Sequence, residues 1–480
     1  MVERACYLPG LDPQALHWKT LTFGQGGAPG YEVAVPVLEP QDMTRLAAHV
    51  RHHAAQHLRP MPVSRIVEVI DRVIARLLDR QDPYRQRMER ALPVVTGYDA
   101  EMVRVGLTRY LKTFRKPELL RFLAEDFPNP AILDEFQPLP KGGYGRAFGP
   151  GVLGHIWAGN VPALPLWSLV CGLLVKSGTI GKVSSAEPLF ATWFAEILAE
   201  VAPELSDCLA VVWWQGGEDA PERALLQSAD MALAYGSAEA LADIQSRMPS
   251  GKRLLQFGHK VSFAMIAAEA LDPAKAAETA RRAAEDIARY DQQGCFAPHV
   301  VFVEKGGHVS PRVFARYLAG ALSAFGQRYP RRALSMAEAN SLAAWRQQEE
   351  FAHGAEVIGD ALGDWSVSFH EGGQGFGPSC LNRAIRVVAV DALTDVPSQV
   401  APYRAVLQTV GIAAPPDALF RLAGLLGEAG VTRIAALGDM TTPEAGWHHD
   451  GRFNLSDLVQ ITEMDARAPP AADRLASYDD

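Results

Sequence analysis

Between Gly151 and Phe257, short apolar runs alternate with segments of helical length, and this alternation constrains the fold more than any other feature of the chain. The runs at 151–157, 179–183, 209–213, 231–235 and 253–257 read as strands. The stretches at 162–176, 187–202, 219–228 and 238–247 read as the helices between them. A strand that is apolar along its whole length is buried on both faces. Strands of this kind joined by helices form a parallel sheet with helices on each side, an α/β architecture. Such sheets bind ligands beyond the carboxyl ends of their strands. That geometry singles out Gly159-Asn160, Lys182 to Ser185 and Gly236-Ser237, each just after a strand.

A second series follows, with an Ala-rich helix from Pro273 to Tyr290, a strand at 299–303, a helix from Pro311 to Phe325, and strands at 385–390 and 432–436. It predicts a second α/β domain. The region from Met43 to Glu125 repeats apolar residues at three and four positions, as in Val63 to Leu78, and reads as a helical lead-in. Pro128, Pro130, Pro138, Pro140 and three glycines between Asp126 and Arg146 mark a connection, with a boundary near 145. The last fifteen residues, with Pro469, Pro470 and a terminal Asp-Asp, read as a flexible tail.

Composition narrows the function classes. A chain of 480 residues with 48% hydrophobic residues, a formal charge of −9 and no Lys/Arg block has no electrostatic footprint for nucleic acid. The longest apolar run, Val161 to Val175, is interrupted by Pro162 and Pro165 and is too short to span a bilayer. No secretory leader pattern opens the chain, so a cytoplasmic location is expected. Cys6, Cys171, Cys208, Cys295 and Cys380 are odd in number and lack CxxC spacing, which argues against a disulfide framework and a zinc site. His448-His449-Asp450 has no matching ligand cluster nearby, so no metal is expected there.

Each candidate residue has an ordinary alternative. Cys295 follows Gly294 and precedes a strand, which suits a nucleophile, although free cysteines are commonly buried and inert. Asn160 is either a helix cap ahead of Pro162 or an amide donor to a developing oxyanion. Lys182, Ser184 and Ser185 are either solvated or placed around a nucleotide's ribose and phosphate. Gly236-Ser237 lacks the full GxGxxG pattern, and Ser237 alone suffices as a cap. Trp157, Trp167, Trp213 and Trp214 read as core.

Taken in order, Gly154-His-Ile-Trp-Ala-Gly-Asn-Val-Pro, Tyr235-Gly-Ser, Gln256-Phe-Gly-His-Lys-Val-Ser-Phe, Asp291-Gln-Gln-Gly-Cys, Leu407-Gln-Thr-Val-Gly-Ile and His449-Asp-Gly resemble the aldehyde dehydrogenase superfamily. The resemblance is nearer to its LuxC-like fatty acyl-CoA reductases of bacterial luminescence. It covers roughly residues 145–460.

The resemblance implies a Rossmann-type cofactor domain at 146–261, fed by a helical N-terminal region at 1–145. It implies a catalytic domain at 262–440 carrying Cys295, a C-terminal return at 441–465 to the cofactor and oligomerisation region, and a flexible tail at 466–480. The implied reaction is reduction of an acyl thioester, on CoA or an acyl carrier protein, to an aldehyde through an acyl-Cys295 intermediate. Asn160 then serves the oxyanion, and Lys182, Ser184, Ser185, Gly236, Ser237 and Gly258 hold the nicotinamide cofactor. An acyl-transferring partner enzyme and a homodimer or larger assembly are further implications. Two other readings stay open: oxidation of an aldehyde to acid or acyl-CoA, and a non-catalytic binding subunit.

Three departures from the superfamily pattern carry meaning. Aldehyde-oxidising members have a water-activating Glu where this chain has Gln256, which favours reduction over hydrolysis. Ser185 stands where NAD-preferring relatives have Glu, which points to NADPH, with NADH as the alternative. Leu241 stands where many have a second glycine. His299, four residues after Cys295, is a candidate to deprotonate it.

Overall fold

The computed structural model describes residues 2–24, 30–360, 363–372 and 375–476. The chain opens with a three-stranded sheet in the order Glu3–Arg4, Tyr31–Val37, His17–Phe23, an element that the helical periodicity beyond it does not foretell. Helices Pro40–His53, Val63–Leu78, Pro83–Thr96, Ala100–Lys112 and Lys116–Asp126 follow. Val63–Leu78 shows why they form: Ile66, Val67, Ile70, Val73, Ile74 and Leu77 fall on one face and are all buried. That face packs against helices Phe190–Val201 and Pro165–Leu174 of the next layer.

Five parallel strands form the first large sheet, in the order Arg253–Phe257, Met231–Tyr235, Val152–Ile156, Gly178–Lys182, Leu209–Val212. The first of them in the chain is central. The next two are added on one side, and the last two on the other. Strand order therefore reverses between Val152–Ile156 and Met231–Tyr235, and a crevice opens at such a switch point. The turns after these two strands carry Asn160 and Gly236.

The second large sheet has seven strands, in the order Ala355–Gly359, Ser366–His370, Ala384–Val390, Pro298–Glu304, Val261–Ile266, Leu407–Ala413, Arg433–Ala436. All pair in parallel except the edge strand Ala355–Gly359. Strand Gln460–Met464 returns to pair antiparallel with Tyr144–Phe148, just ahead of the first sheet. A short helix, Ala468–Asp473, lies within the stretch that reads as a tail, starting at the prolines suited to a first helical turn. The terminal Asp-Asp lies outside the described residues.

The loop leading to Cys295 has an unusual backbone. Tyr290, Asp291 and Gln292 take φ of 47°, 52° and 69°. Left-handed backbone costs a residue with a side chain about 1–2 kcal/mol. A second left-handed run, Leu381, Asn382 and Arg383 at 63°, 57° and 67°, lies against it. The two are joined by a fully buried ion pair, with Arg383 Nε donating to Asp291 Oδ1 at 2.8 Å. The Asn382 N–H donates to the Asp291 carbonyl (3.0 Å), and Gln292 Nε2 donates to the carbonyls of Pro298 and Ala384 at 2.7 and 3.1 Å.

Asp291→Ala should therefore lower unfolding stability by about 3–5 kcal/mol, the usual cost of leaving one buried charge unpaired. Urea unfolding checks this. The double variant Asp291→Ala/Arg383→Met should lose less than the sum of the single losses.

Candidate active site

A cleft of about 650 Å³ lies where the carboxyl ends of the five-stranded sheet face the strand starts of the seven-stranded one. Its wall collects residues from distant parts of the chain, among them Tyr110, Asn160, Tyr235, Cys295, Gln408 and Asp450.

Cys295 sits on a turn closed by the Ala297 N–H donating to the Gly294 carbonyl (2.9 Å), immediately before Pro298–Glu304. Its own carbonyl accepts from Ser262 Oγ at 2.8 Å, and that oxygen accepts from the Thr409 N–H at 3.1 Å. Asn160 Nδ2 donates to the Gln293 carbonyl at 2.8 Å, so one amide ties the switch-point loop to the Cys295 loop. An amide nitrogen carries two protons, and the second remains for a ligand. Tyr98 fixes the other end of Asn160 by donating to its carbonyl at 2.8 Å.

Burial pushes the Cys295 thiol up to about 11, and the Asp450 carboxylate acts in the same direction. A hydrogen bond from Gln408 and the positive charge of Arg433 oppose them. Gln408 Nε2 also donates to Asp450 Oδ1 at 2.7 Å, and Lys260 Nζ lies 3.8 Å from Asp450 Oδ2. Asp450 is the one carboxylate among the described residues of the cleft wall.

His299 lines the cleft but does not suit the role of base. Its Nδ1 accepts from the Ser379 N–H at 3.0 Å, which leaves the ring's proton on Nε2. Burial, with help from His259, pushes its pKa down to about 3, so the neutral ring is a donor.

Besides His299, five sequence candidates reach the cleft: Cys295, Asn160, Gly236, Ser237 and Gly258. Ser237 also caps helix Ala238–Arg247, accepting from the Ala240 N–H at 3.3 Å, as its capping alternative expects. Gln256 does not line the cleft. Strand alternation turns it outward, where Nε2 donates to Gln245 Oε1 at 2.9 Å, while Phe257 faces the cleft. Phe257 stacks on Tyr235 (4.8 Å) and on His449 (4.6 Å). Trp167, which reads as core, instead joins this aromatic wall, 5.0 Å from His449. Burial lowers the pKa of His449 to about 4 and keeps it neutral.

Lys182, Ser184 and Ser185 lie beyond the cleft wall along the sheet's end. Ser185 Oγ accepts from Trp213 Nε1 at 3.0 Å. Ser184 Oγ accepts from the Ala186 N–H at 3.2 Å and packs so closely on Gly159 that a Cβ there would sit 2.7 Å away. Lys182 Nζ lies 5.9 Å from the centroid of Trp214, has no ion-pair partner among the described residues, and has its pKa lowered by burial. A half-buried cation without an ion-pair partner among the described residues and two hydroxyls at the end of a parallel sheet fit the ribose and phosphates of a dinucleotide. Leu241 fills the space beside Gly258, its Cδ1 3.4 Å from where a Cβ would stand.

Sequence reasoning missed the roles of Lys260, Gln408, His449 and Asp450. All four lie inside segments that carry the family resemblance, and that was the available signal. Because the thiol is protonated near neutrality, alkylation of Cys295 by iodoacetamide should rise about tenfold per pH unit between pH 8 and 10. Removing the carboxylate with Asp450→Asn lowers the thiol pKa and should speed alkylation at pH 8. Peptide mapping of the label reads both outcomes.

Residues 58–461 match the family model for acyl-CoA reductase (LuxC). The chain is 28% identical over 387 residues to "Long-chain acyl-protein thioester reductase 2" of Photobacterium leiognathi, covering 79% of this chain and 78% of that protein. It is 26% identical over 447 residues to the "Long-chain acyl-protein thioester reductase" of Photorhabdus luminescens, covering 92% and 88%. Among solved structures, methylmalonate-semialdehyde dehydrogenase from Oceanimonas doudoroffii superposes with a TM-score of 0.74 at 14% identity, over 97% of this chain and 98% of that one. Aldehyde dehydrogenase 21 from Physcomitrella patens gives 0.73 at 13% identity, over 97% and 99%. These structural likenesses establish the fold, and no helix among the described residues is long and apolar enough to cross a membrane. The family match over most of its length establishes that the chain belongs to the LuxC acyl-CoA reductases, built on the aldehyde dehydrogenase fold.

Proposed function

We propose that the chain reduces an acyl thioester, carried on CoA or on a protein, to an aldehyde, with NADPH as reductant and Cys295 as the covalent acyl carrier. The observation that carries this reading is the position of Cys295 in the cleft at the sheet's switch point, its loop held by Asn160.

The Cys295 sulfur, once deprotonated, attacks the thioester carbonyl. A carbon–sulfur bond forms to the enzyme and the donor thiolate leaves, an exchange between bonds of similar energy. The free Asn160 amide proton and the Cys295 backbone N–H stabilise the tetrahedral oxyanion. Lys182, Ser184, Ser185, Gly236 and Ser237 would hold the nicotinamide cofactor, which would supply the hydride that reduction of the acyl carbon requires. The resulting thiohemiacetal on Cys295 collapses: its hydroxyl loses a proton, the carbon–sulfur bond breaks, and aldehyde and thiolate separate.

The protein's part in favouring this route over hydrolysis lies in the acids it withholds. Gln256 faces away, and Asp450 is engaged by Gln408, so no free carboxylate is directed at water in the cleft. Arg109 and Arg289 on the cleft wall have no ion-pair partner among the described residues, which supports an anionic acyl carrier. The printed names of the relatives support a protein-borne thioester. Lys182 with Ser185, in place of a carboxylate, supports NADPH.

With a long-chain acyl-CoA and NADPH, the purified protein should consume the cofactor and form aldehyde, and Cys295→Ala should abolish both. Undiminished aldehyde formation in that variant would overturn the reading. Rapid acid formation from aldehyde and NADP+ without CoA would point instead to oxidation. Asn160→Ala should lower kcat about 10²–10³-fold while Cys295 still reacts with iodoacetamide. Lys182→Ala should raise the KM for NADPH more than that for NADH, and equal changes would remove the lysine from cofactor discrimination.

A further inference from the structure

Far from the cleft, helix Pro40–His53 presents His49 and His53 one turn apart, on the side facing the short 3-10 turn Pro203–Cys208. Asp207 on that turn completes a cluster whose donor atoms all lie within 4.8 Å of one another. His49 Nε2 is 3.5 Å from Asp207 Oδ1, and His53 Nδ1 is 3.8 Å from Asp207 Oδ2. Ligands about 2.0–2.1 Å from a tetrahedral zinc ion stand about 3.4 Å apart, so both separations are close to the edges of such a site.

Three further observations separate this cluster from an ordinary surface contact. His49 Nε2 is buried and makes no hydrogen bond, with Asp207 Oδ1 standing off at 3.5 Å. The His49 ring is held in place from behind, because Gly10 packs so closely that a Cβ there would sit 2.5 Å from Nδ1, and Gly10 has the left-handed φ of 74° that glycine tolerates. The helix passes directly after His53 into a π-helical turn, Ala54–Leu58, a distortion frequent at functional sites. The side chains of His49, His53 and Asp207 remain 29%, 26% and 37% exposed, so an ion can enter from solvent.

We propose that His49, His53 and Asp207 form a binding site for a divalent ion of the zinc class, with solvent completing the coordination. Two imidazoles and one carboxylate are a zinc-type donor set. The ion would join the N-terminal helix to the turn that feeds strand Leu209–Val212, and so fasten the N-terminal region to the five-stranded sheet. The site is independent of the reaction proposed above.

Titration of the full-length protein with Co²⁺ tests it. One ion per chain is expected, with visible absorption of a low-symmetry nitrogen and oxygen site, no thiolate-to-cobalt band, and a rise in Tm on adding Zn²⁺. His53→Ala and the isosteric Asp207→Asn should each abolish the absorption and the Tm rise, while His57→Ala, whose ring only stacks on His53, should keep both. Asp207→Asn preserves side-chain shape, so an unchanged Tm without metal shows that it has folded. Absence of binding in the unaltered protein, binding undiminished in His53→Ala or Asp207→Asn, or a thiolate band would each overturn the proposal.

Discussion

The buried pairing of Asp291 with Arg383 is the constraint on which the site depends. Each residue lies in a run of three left-handed residues, and each run pays a backbone cost that the contacts between the two offset. Together they interlock, with Gln292 satisfying two carbonyls and Asn382 closing on the Asp291 backbone. The result is a Cys295 loop aimed by the seven-stranded sheet rather than by its own sequence. Cys295 faces the other sheet because Arg383, almost ninety positions later, holds the backbone that points it there.

The five-stranded sheet contributes the opposing wall by topology. Reversal of strand order at Val152–Ile156 opens the crevice, and the turns on its two sides deliver Asn160 and Gly236 into it. Aromatic rings then close the wall. Tyr235 and Phe257 come from neighbouring strands, and His449 and Trp447 come from the C-terminal segment. Such a wall desolvates whatever it encloses, which is the main reason the free thiol stays protonated.

Much of this architecture is legible in the sequence, for a physical reason. Strands buried on both faces are predominantly apolar, so Val152–Ile156, Leu209–Val212 and Met231–Tyr235 announce themselves as runs bounded by turns. Edge strands do not: Ala355–Gly359 is only half-buried and mixed in character, and it escapes the same test. Within the site, Cys295 and Asn160 are readable because each follows a local punctuation of glycine or proline. Gln256 misleads because position in a motif does not say which side of a strand a residue takes; that is settled by the neighbour, and Phe257 gains more from the aromatic wall. Asp450 and Gln408 are invisible as a pair, since their contact exists only after the chain has folded back. The state of His299 depends on one backbone N–H from Ser379, which no spacing rule foretells.

The antiparallel return of Gln460–Met464 to Tyr144–Phe148 has a consequence for the order of assembly. A ribosome releases the N-terminal helices and the five-stranded sheet first, and these can bury their own core while the rest is being made. The seven-stranded sheet waits for Arg433–Ala436, and the carboxylate beside the thiol waits longer still, for Asp450. The cleft is thus completed late, with the return strand Gln460–Met464 and the short helix after it still to follow. Until then, Cys295 belongs to a loop with nothing opposite to hold it.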